Sequence, residues 1–312
     1  LQPIHVPSPD CYERAAGESW EDHTRRRFAD MEAAIARHAH ETCAVILEPL
    51  VQCAGGMRMY HPIYLTLLRE ACDRHGVHLI ADEIAVGFGR TGKLFACNWA
   101  PQPQGPDGIT PDFLCLSKGL TAGTLPLAVT LTRETIYQAF YDEHRSGKAF
   151  LHSHSYTGNP LACRAALATL DVFEQQDWMA RVRLLGQFLW SATASLRSHR
   201  HVAEVRQQGL ILAVELARRP QTPRERSRLS ARERRESENA STGSASQDGA
   251  RLEEVSQEMN ERFAGVEHQV IDATAFQFRC HDGLIKPLSA AMCDKVLSGL
   301  CLSCTNETRT SQ

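Results

Sequence analysis

The chain of 312 residues predicts an α/β fold built on a mostly parallel sheet with helices on both faces. Three observations carry that prediction. Short apolar runs, among them Ala44-Val45-Ile46-Leu47, Leu79-Ile80-Ala81 and Phe113-Leu114-Cys115-Leu116, alternate with segments of helical apolar spacing. Asp82 ends the second of these runs, and Lys118 follows the third after one serine. Ligands of such sheets bind outside the carboxyl ends of the strands, so this carboxylate and this amine are predicted to converge on one pocket.

Taken in order, residues 1–30 are polar and read as loop, and 31–40 as helix. The run 43–49 reads as a buried strand stopped by Pro49. Pro62 opens a helix over 62–75, where Ile63, Leu67, Leu68 and Ala71 form an apolar stripe, and Gly76 ends it. Strands are predicted over 77–81, 113–116 and 127–131, and Thr132 is predicted to cap a helix over 133–141. Asn159-Pro160 begins a helix to about residue 175, and a second spans about 177–197. Strands over 202–206 and 210–216 then suggest a separate, smaller unit. The expected organisation is a partial large domain over 1–160 and the start of a small domain over 161–217. A linker over 218–250 and a divergent tail over 251–312 follow. The linker is charged, Ser-rich and nearly free of large apolar residues, so it cannot bury enough surface to offset its ordering entropy.

Composition narrows the function classes. Hydrophobic content of 43% and a net charge of −3 fit a soluble globular protein and give no reason to expect nucleic acid or an anionic membrane as partner. No apolar run approaches the ~20 residues that span a bilayer. The opening Leu1-Gln2-Pro3-Ile4-His5 has neither Met nor a signal-like pattern and reads as the interior of a longer chain. The 11 cysteines are irregularly spaced, and Cys43, Cys115 and Cys163 sit in apolar runs, which favours reduced thiols and a cytoplasmic location. Cys301 and Cys304 form a CxxC near Cys280, His281 and Cys293. There is no second CxxC and no regular His spacing, so no metal site is expected. Gly87-Phe88-Gly89-Arg90-Thr91-Gly92 follows a strand but lacks nucleotide-loop spacing, and no GxSxG elbow occurs.

An isolated Asp or Lys is ordinarily a solvated surface group. Asp82 instead follows three apolar residues, where an unpaired charge is expensive. A strand-end Lys beside a strand-end Asp also suits pyridoxal phosphate, whose aldehyde takes an amine and whose ring nitrogen takes a carboxylate.

The residues around this pair carry a resemblance. They are the runs from Glu48-Pro49-Leu50-Val51-Gln52 to Tyr60-His61-Pro62, from Ala81-Asp82-Glu83-Ile84 to Thr91-Gly92, Ser117-Lys118-Gly119-Leu120, and His152-Ser153-His154-Ser155-Tyr156-Thr157-Gly158-Asn159-Pro160. Over about 1–217 the chain resembles the class III pyridoxal-phosphate aminotransferases of fold type I, and among them the adenosylmethionine-8-amino-7-oxononanoate aminotransferase branch. Residues 218–312 do not. The resemblance implies that Lys118 forms the Schiff base and moves the proton, that Asp82 pairs with the ring nitrogen, and that Ile84 packs on the ring. It implies that His154 and Ser155 belong to a loop holding the cofactor phosphate across a homodimer interface. Arg90 and Ser153 would line the substrate site. Ala85 agrees with this branch, where ornithine-type relatives commonly carry Gln. The implied reaction is transfer of an amine from S-adenosylmethionine to 8-amino-7-oxononanoate in biotin biosynthesis. The phosphate cup and ring-stacking aromatic that the family carries upstream, and its carboxylate-binding C-terminal arginine, have no counterpart in 1–312. Another class III ω-amino transaminase and a non-catalytic fragment of such an enzyme therefore stay open as alternatives.

Overall fold

The computed structural model describes residues 2–101, 108–150, 155–216, 254 and 257–258, together with the backbone of 275–279. It divides into two compact units, Leu1–Cys11 with Ser19–Met179, and Tyr12–Glu18 with Ala180–Gln312.

The first unit opens with α1 (Trp20–His38), so the helix begins well inside the stretch read as loop. Ser19 is its N-cap, its hydroxyl accepting the Asp22 amide at 3.0 Å, and Glu21 and Asp22 complement the helix dipole. The helix escapes an apolar-period reading because two of its four buried residues are polar: His23 and Thr24 beside Phe28 and Ile35. It packs on a later helix, where Phe28 meets Tyr64 edge-on at 5.2 Å.

Strand β1 (Ala44–Leu47) leads into a small antiparallel hairpin of β2 (Val51–Gln52) and β3 (Arg58–Met59). Helix α2 (Ile63–His75) follows and ends at Gly76, whose φ of 67° suits a residue without Cβ. Strands β4 (His78–Asp82), β5 (Phe113–Leu116) and β6 (Val129–Thr132) complete a sheet of order β1-β4-β5-β6. The first two pairings are parallel and the last antiparallel. β1 is a sheet edge among the described residues, and Ile46 is 64% exposed, in contrast to the buried strand expected there.

Asp112 locks the start of this sheet. It is buried, and its Oδ2 accepts the Leu79 amide at 2.7 Å and the Arg69 guanidinium at 2.8 Å, while Arg133 stands 3.3 Å from Oδ1. Burial alone would raise its pKa. The Leu79 amide and the Arg69 and Arg133 guanidiniums outweigh burial and hold the carboxyl below the ordinary aspartate value. The neighbouring strands β4 and β5 are thereby pinned at their amino ends, which fixes the level of their carboxyl ends.

Thr132 does not cap a helix. It closes β6 and its hydroxyl donates to the Asp112 carbonyl at 2.9 Å, and α3 (Glu134–Tyr137) is a single turn. Helix α4 (Pro160–Gln175) starts as expected, with the Asn159 side chain accepting the Leu161 amide at 2.9 Å and proline in the first turn.

The second unit begins within α5 (Trp178–Ala192) and contains a hairpin of β7 (Val202–Gln208) and β8 (Ile211–Leu216). Strand β9 (Ala275–Arg279) adds in parallel beside β8. β8 is buried along its whole length. Arg206 is 5% exposed and pairs with Glu215 at 2.9 Å and Glu204 at 3.3 Å, and so balances two carboxylates that face each other across the hairpin.

Candidate active site

Asp82 is the last residue of β4 and stands opposite Cys115 of β5. Its Oδ1 accepts the Ile84 amide at 3.1 Å, so the chain turns tightly away after the carboxylate. Leu47 of β1 pairs with Ala81, which brings Glu48, the next residue, to the level of Asp82 on the adjoining strand end. Two residues after β5, Lys118 opens a 3₁₀ turn (Lys118–Thr121) with its side chain exposed and its φ at 43°. The Ser117 hydroxyl donates to the Leu127 carbonyl at 2.6 Å and anchors that turn.

The turn is also held from two sides. A Cβ on Gly119 would stand 2.8 Å from the Phe88 Cβ, so only glycine admits this approach. Phe88 lies in the Gly-rich loop that carries Arg90 and packs against Phe95 at 5.7 Å and Phe173 of α4 at 6.3 Å. α4 itself packs on the Lys118 turn. Beneath the loop, fully buried Glu83 accepts the Ala96 amide at 2.7 Å and the Cys97 amide at 2.8 Å. These contacts give the Arg90 loop and the Lys118 amine a common frame.

Cys53 ties the charged groups together. Burial, reinforced by the neighbouring Glu48 charge, pushes its thiol up to about 12 against the pull of Lys118 and Arg90. A thiol of that kind is neutral and is no nucleophile at neutral pH. Glu48 accepts the Cys53 amide at 2.9 Å, and burial, with a contribution from the Asp82 charge, pushes its carboxyl up. Burial pulls the Arg90 guanidinium below its ordinary value. Glu48 thus feels the Asp82 charge, and Cys53 feels Glu48, Lys118 and Arg90, near the carboxyl ends of β1, β4 and β5. Backbone strain collects in the same segments: Leu50, Met57, Phe88, Lys118 and Ala122 all have positive φ.

Ile84 is half-buried beside Asp82, and Ser155 is exposed in the turn before α4. Ser153 and His154 lie outside the described residues. Glu48 and Phe88 were not singled out from the sequence. Glu48 had a legible signal, since it ends an apolar strand as Asp82 does. Phe88 had none, because its contact with Gly119 depends on the topology. The donor set fits pyridoxal phosphate: an exposed primary amine for an aldehyde, a carboxylate on the next strand end for a pyridinium, and an apolar side chain between them in sequence. Among the described residues, no group of three or more His, Cys, Asp or Glu could hold a metal ion. No helix among them is long and apolar enough to cross a membrane.

The family model described as aminotransferase class-III matches residues 2–236. Adenosylmethionine-8-amino-7-oxononanoate aminotransferase of Nitratidesulfovibrio vulgaris is 42% identical over 231 residues, which are 72% of this chain and 41% of the relative. The protein of the same name from Geobacter sulfurreducens is 44% identical over 216 residues, 69% of this chain and 46% of the relative. The crystal structure of the Methanocaldococcus jannaschii protein of that name superposes with a TM-score of 0.58 at 39% identity, covering 62% of this chain and 43% of that one. The omega transaminase from Pseudomonas jessenii, in complex with PMP, superposes with a TM-score of 0.61 at 33% identity, covering 69% of this chain and 46% of that one. The chain spans less than half the length of the curated relatives it matches. It belongs to the class III aminotransferases, pyridoxal-phosphate-dependent enzymes of fold type I.

Proposed function

We propose that the protein this chain represents transfers an amine from S-adenosylmethionine to 8-amino-7-oxononanoate, yielding 7,8-diaminononanoate for biotin biosynthesis, as a cytoplasmic homodimer. The observation that carries the reading is the Asp82–Lys118 pair on neighbouring strand ends, inside a match to relatives named for that aminotransferase at 42% and 44% identity.

Pyridoxal phosphate, when bound, supplies a carbonyl that takes the amine and a ring that withdraws electrons from the substrate carbon. Everything else falls to the chain. With the cofactor bound, Lys118 would hold it through its Nζ and would act as the general base for the proton at the reacting carbon. Asp82 holds the proton on the ring nitrogen. Ile84 covers one ring face and excludes water from it. Ser155, with His154, is proposed to bind the phosphate of the partner subunit's cofactor, and Ser153 is proposed to line the substrate site. Arg90, in a loop braced by Glu83 and Phe88, orients the substrate.

The test is chemical. The purified chain is incubated with pyridoxal phosphate, reduced with borohydride and digested, and the pyridoxyl label is located by peptide mass mapping. The label should fall on Lys118 and vanish in Lys118→Ala; labelling spread evenly over surface lysines would defeat the assignment. A panel of amino donors against the loaded protein then separates S-adenosylmethionine from the amines used by other ω-transaminases, the reading favoured by the Pseudomonas jessenii match.

A further inference from the structure

Beyond the residues that match the family, the chain returns to the second unit at Glu254. Three consecutive residues just before β7 receive it. His199 Nε2 lies 3.4 Å from one carboxylate oxygen, and Arg200 and His201 Nε2 each lie 3.3 Å from the other. The two imidazoles are 14% and 10% exposed, so their attraction for the carboxylate is less screened than that of Arg200, which is 62% exposed. Val202, the next residue, pairs with Leu216, so the chain leaves β8 beside the place where Glu254 brings it back. The contact therefore closes the base of the excursion over 217–253, most of it charged and Ser-rich in sequence.

The two imidazoles are not equivalent. His199 Nδ1 accepts the His201 amide at 3.2 Å, so its proton sits on Nε2 and faces Glu254 without a net charge on the ring. A proton added to Nδ1 would cost that amide bond. The ring centroids are 5.7 Å apart, and two imidazolium charges at that separation repel. A single added proton therefore belongs on His201. The surrounding charges have partners of their own. Arg197 of the preceding turn stacks on Trp190 at 3.9 Å. On β7 and β8, Glu204 and Glu215 lie 3.3 Å and 2.9 Å from Arg206, and Arg14 is 3.6 Å from Glu204. Glu258 follows Glu254 on its own segment. Hydrogen bonding to Arg200, helped by the two imidazoles, holds the Glu254 carboxyl below the ordinary glutamate range, so it is an anion wherever histidine titrates.

We propose that His199, Arg200 and His201 form a proton-sensitive clasp that docks the segment around Glu254 on the second unit, with His201 as its sensor. His199 and Arg200 hold the carboxylate on both sides of neutrality, and His201 adds a charge pair only when protonated. The added hold is present below the histidine range near ~6.5 and is lost as pH rises through it. The clasp fastens residues outside the family match to the unit inside it, and it does not rest on the aminotransferase reading.

Hydrogen exchange of the full chain at about pH 5.5 and about pH 8, corrected for the chemical exchange rate, tests this on either side of the histidine range. Peptides covering 254–258 are compared with β8 as internal reference. Protection at 254–258 should be about two- to fivefold greater at the acid pH, the scale of a partly exposed ion pair. His201→Gln should abolish that difference, and Glu254→Gln should abolish it and lower protection at both pH values. Glu254 is exposed, so its variant decides alone should His201→Gln lose protection in β8. Equal protection at the two pH values in the parent, or a pH difference retained in Glu254→Gln, overturns the proposal. A pH difference of the same size in β8 also overturns it, since the whole unit would then be responding.

Discussion

Gly119→Ala isolates the contact that holds the Lys118 turn against the Arg90 loop. Gly119 is absent from the positive-φ residues, so alanine meets no backbone penalty there, and the effect is steric alone. The new Cβ would lie 2.8 Å from Phe88 Cβ, 3.1 Å from Cδ2 and 3.2 Å from Cγ. Ordinary carbon contacts need about 3.5–4.0 Å, so the two segments must separate by roughly half an ångström or more. Phe88 cannot rotate out of the way freely, because its Cβ is itself in the clash and its ring is backed by Phe95 and Phe173. Overpacking of this kind costs about 1–3 kcal/mol. For a chain of this size each kcal/mol lowers Tm by about 2–4 °C. Thermal unfolding followed by circular dichroism measures the loss, and titration with pyridoxal phosphate measures the disturbance at Lys118. Phe88→Ala should cost less than the about 3–5 kcal/mol of a fully buried phenylalanine, since Phe88 is half-buried. The double variant should cost somewhat less than the sum of the two, because the Cγ and Cδ2 contacts are gone and an alanine at 88, with no ring backed by Phe95 and Phe173, can shift away from the remaining Cβ–Cβ contact. Unchanged Tm and cofactor affinity in Gly119→Ala, or strict additivity in the double variant, would refute the argument that these loops are held by one contact.

Asp112→Asn should cost about 1.5–3 kcal/mol, since it removes one of the two carboxylates of buried Arg69 and leaves Asp73, at 2.7 Å, as the other. The folded-state pKa of Asp112 is depressed, so its contribution is present above the ordinary aspartate value near ~4 and is lost as pH falls through the folded value. Thermal scans from neutral pH into acid should show a steeper loss below about pH 4 in the parent than in the variant, and parallel curves would count against it. Glu83→Gln replaces one of two acceptors with an amine facing a backbone N–H, at a cost of about 2–3 kcal/mol. Urea midpoints should fall accordingly, and hydrogen exchange at Ala96 or Cys97 should quicken; protection equal to the parent would speak against the capping role.

The elements legible in the sequence are those with punctuation at both ends or an uninterrupted apolar run. Pro62 and Gly76 bracket α2, Asn159-Pro160 opens α4, and the apolar runs of β4 and β5 name themselves. The second half of α1 is legible over 31–38, but its first half escapes because the buried face there mixes His23 and Thr24 with Phe28, although Ser19 with Asp22 three residues later is a cap signal. Thr132 misled because a hydroxyl at a strand end can cap a helix or tie a neighbouring carbonyl, and Asp112 decided the matter through the tertiary fold. At the site, Asp82 and Lys118 could be read because strand ends are a predictable address. That Glu48 follows β1 at the level of Asp82 could not, since it requires the register of β1 on β4, which no local pattern encodes.

The five positive-φ residues around the site limit what variation there could achieve. A library designed to change donor preference would waste most of its members at Leu50, Met57, Phe88, Lys118 and Ala122, where Val, Ile and Thr are rejected by the backbone before their side chains meet any substrate. Glycine and asparagine would survive at Leu50 and Met57 and report nothing about recognition. Ile84 and Arg90 sit on ordinary backbone between these fixed points, and new selectivity is most readily sought at those two positions.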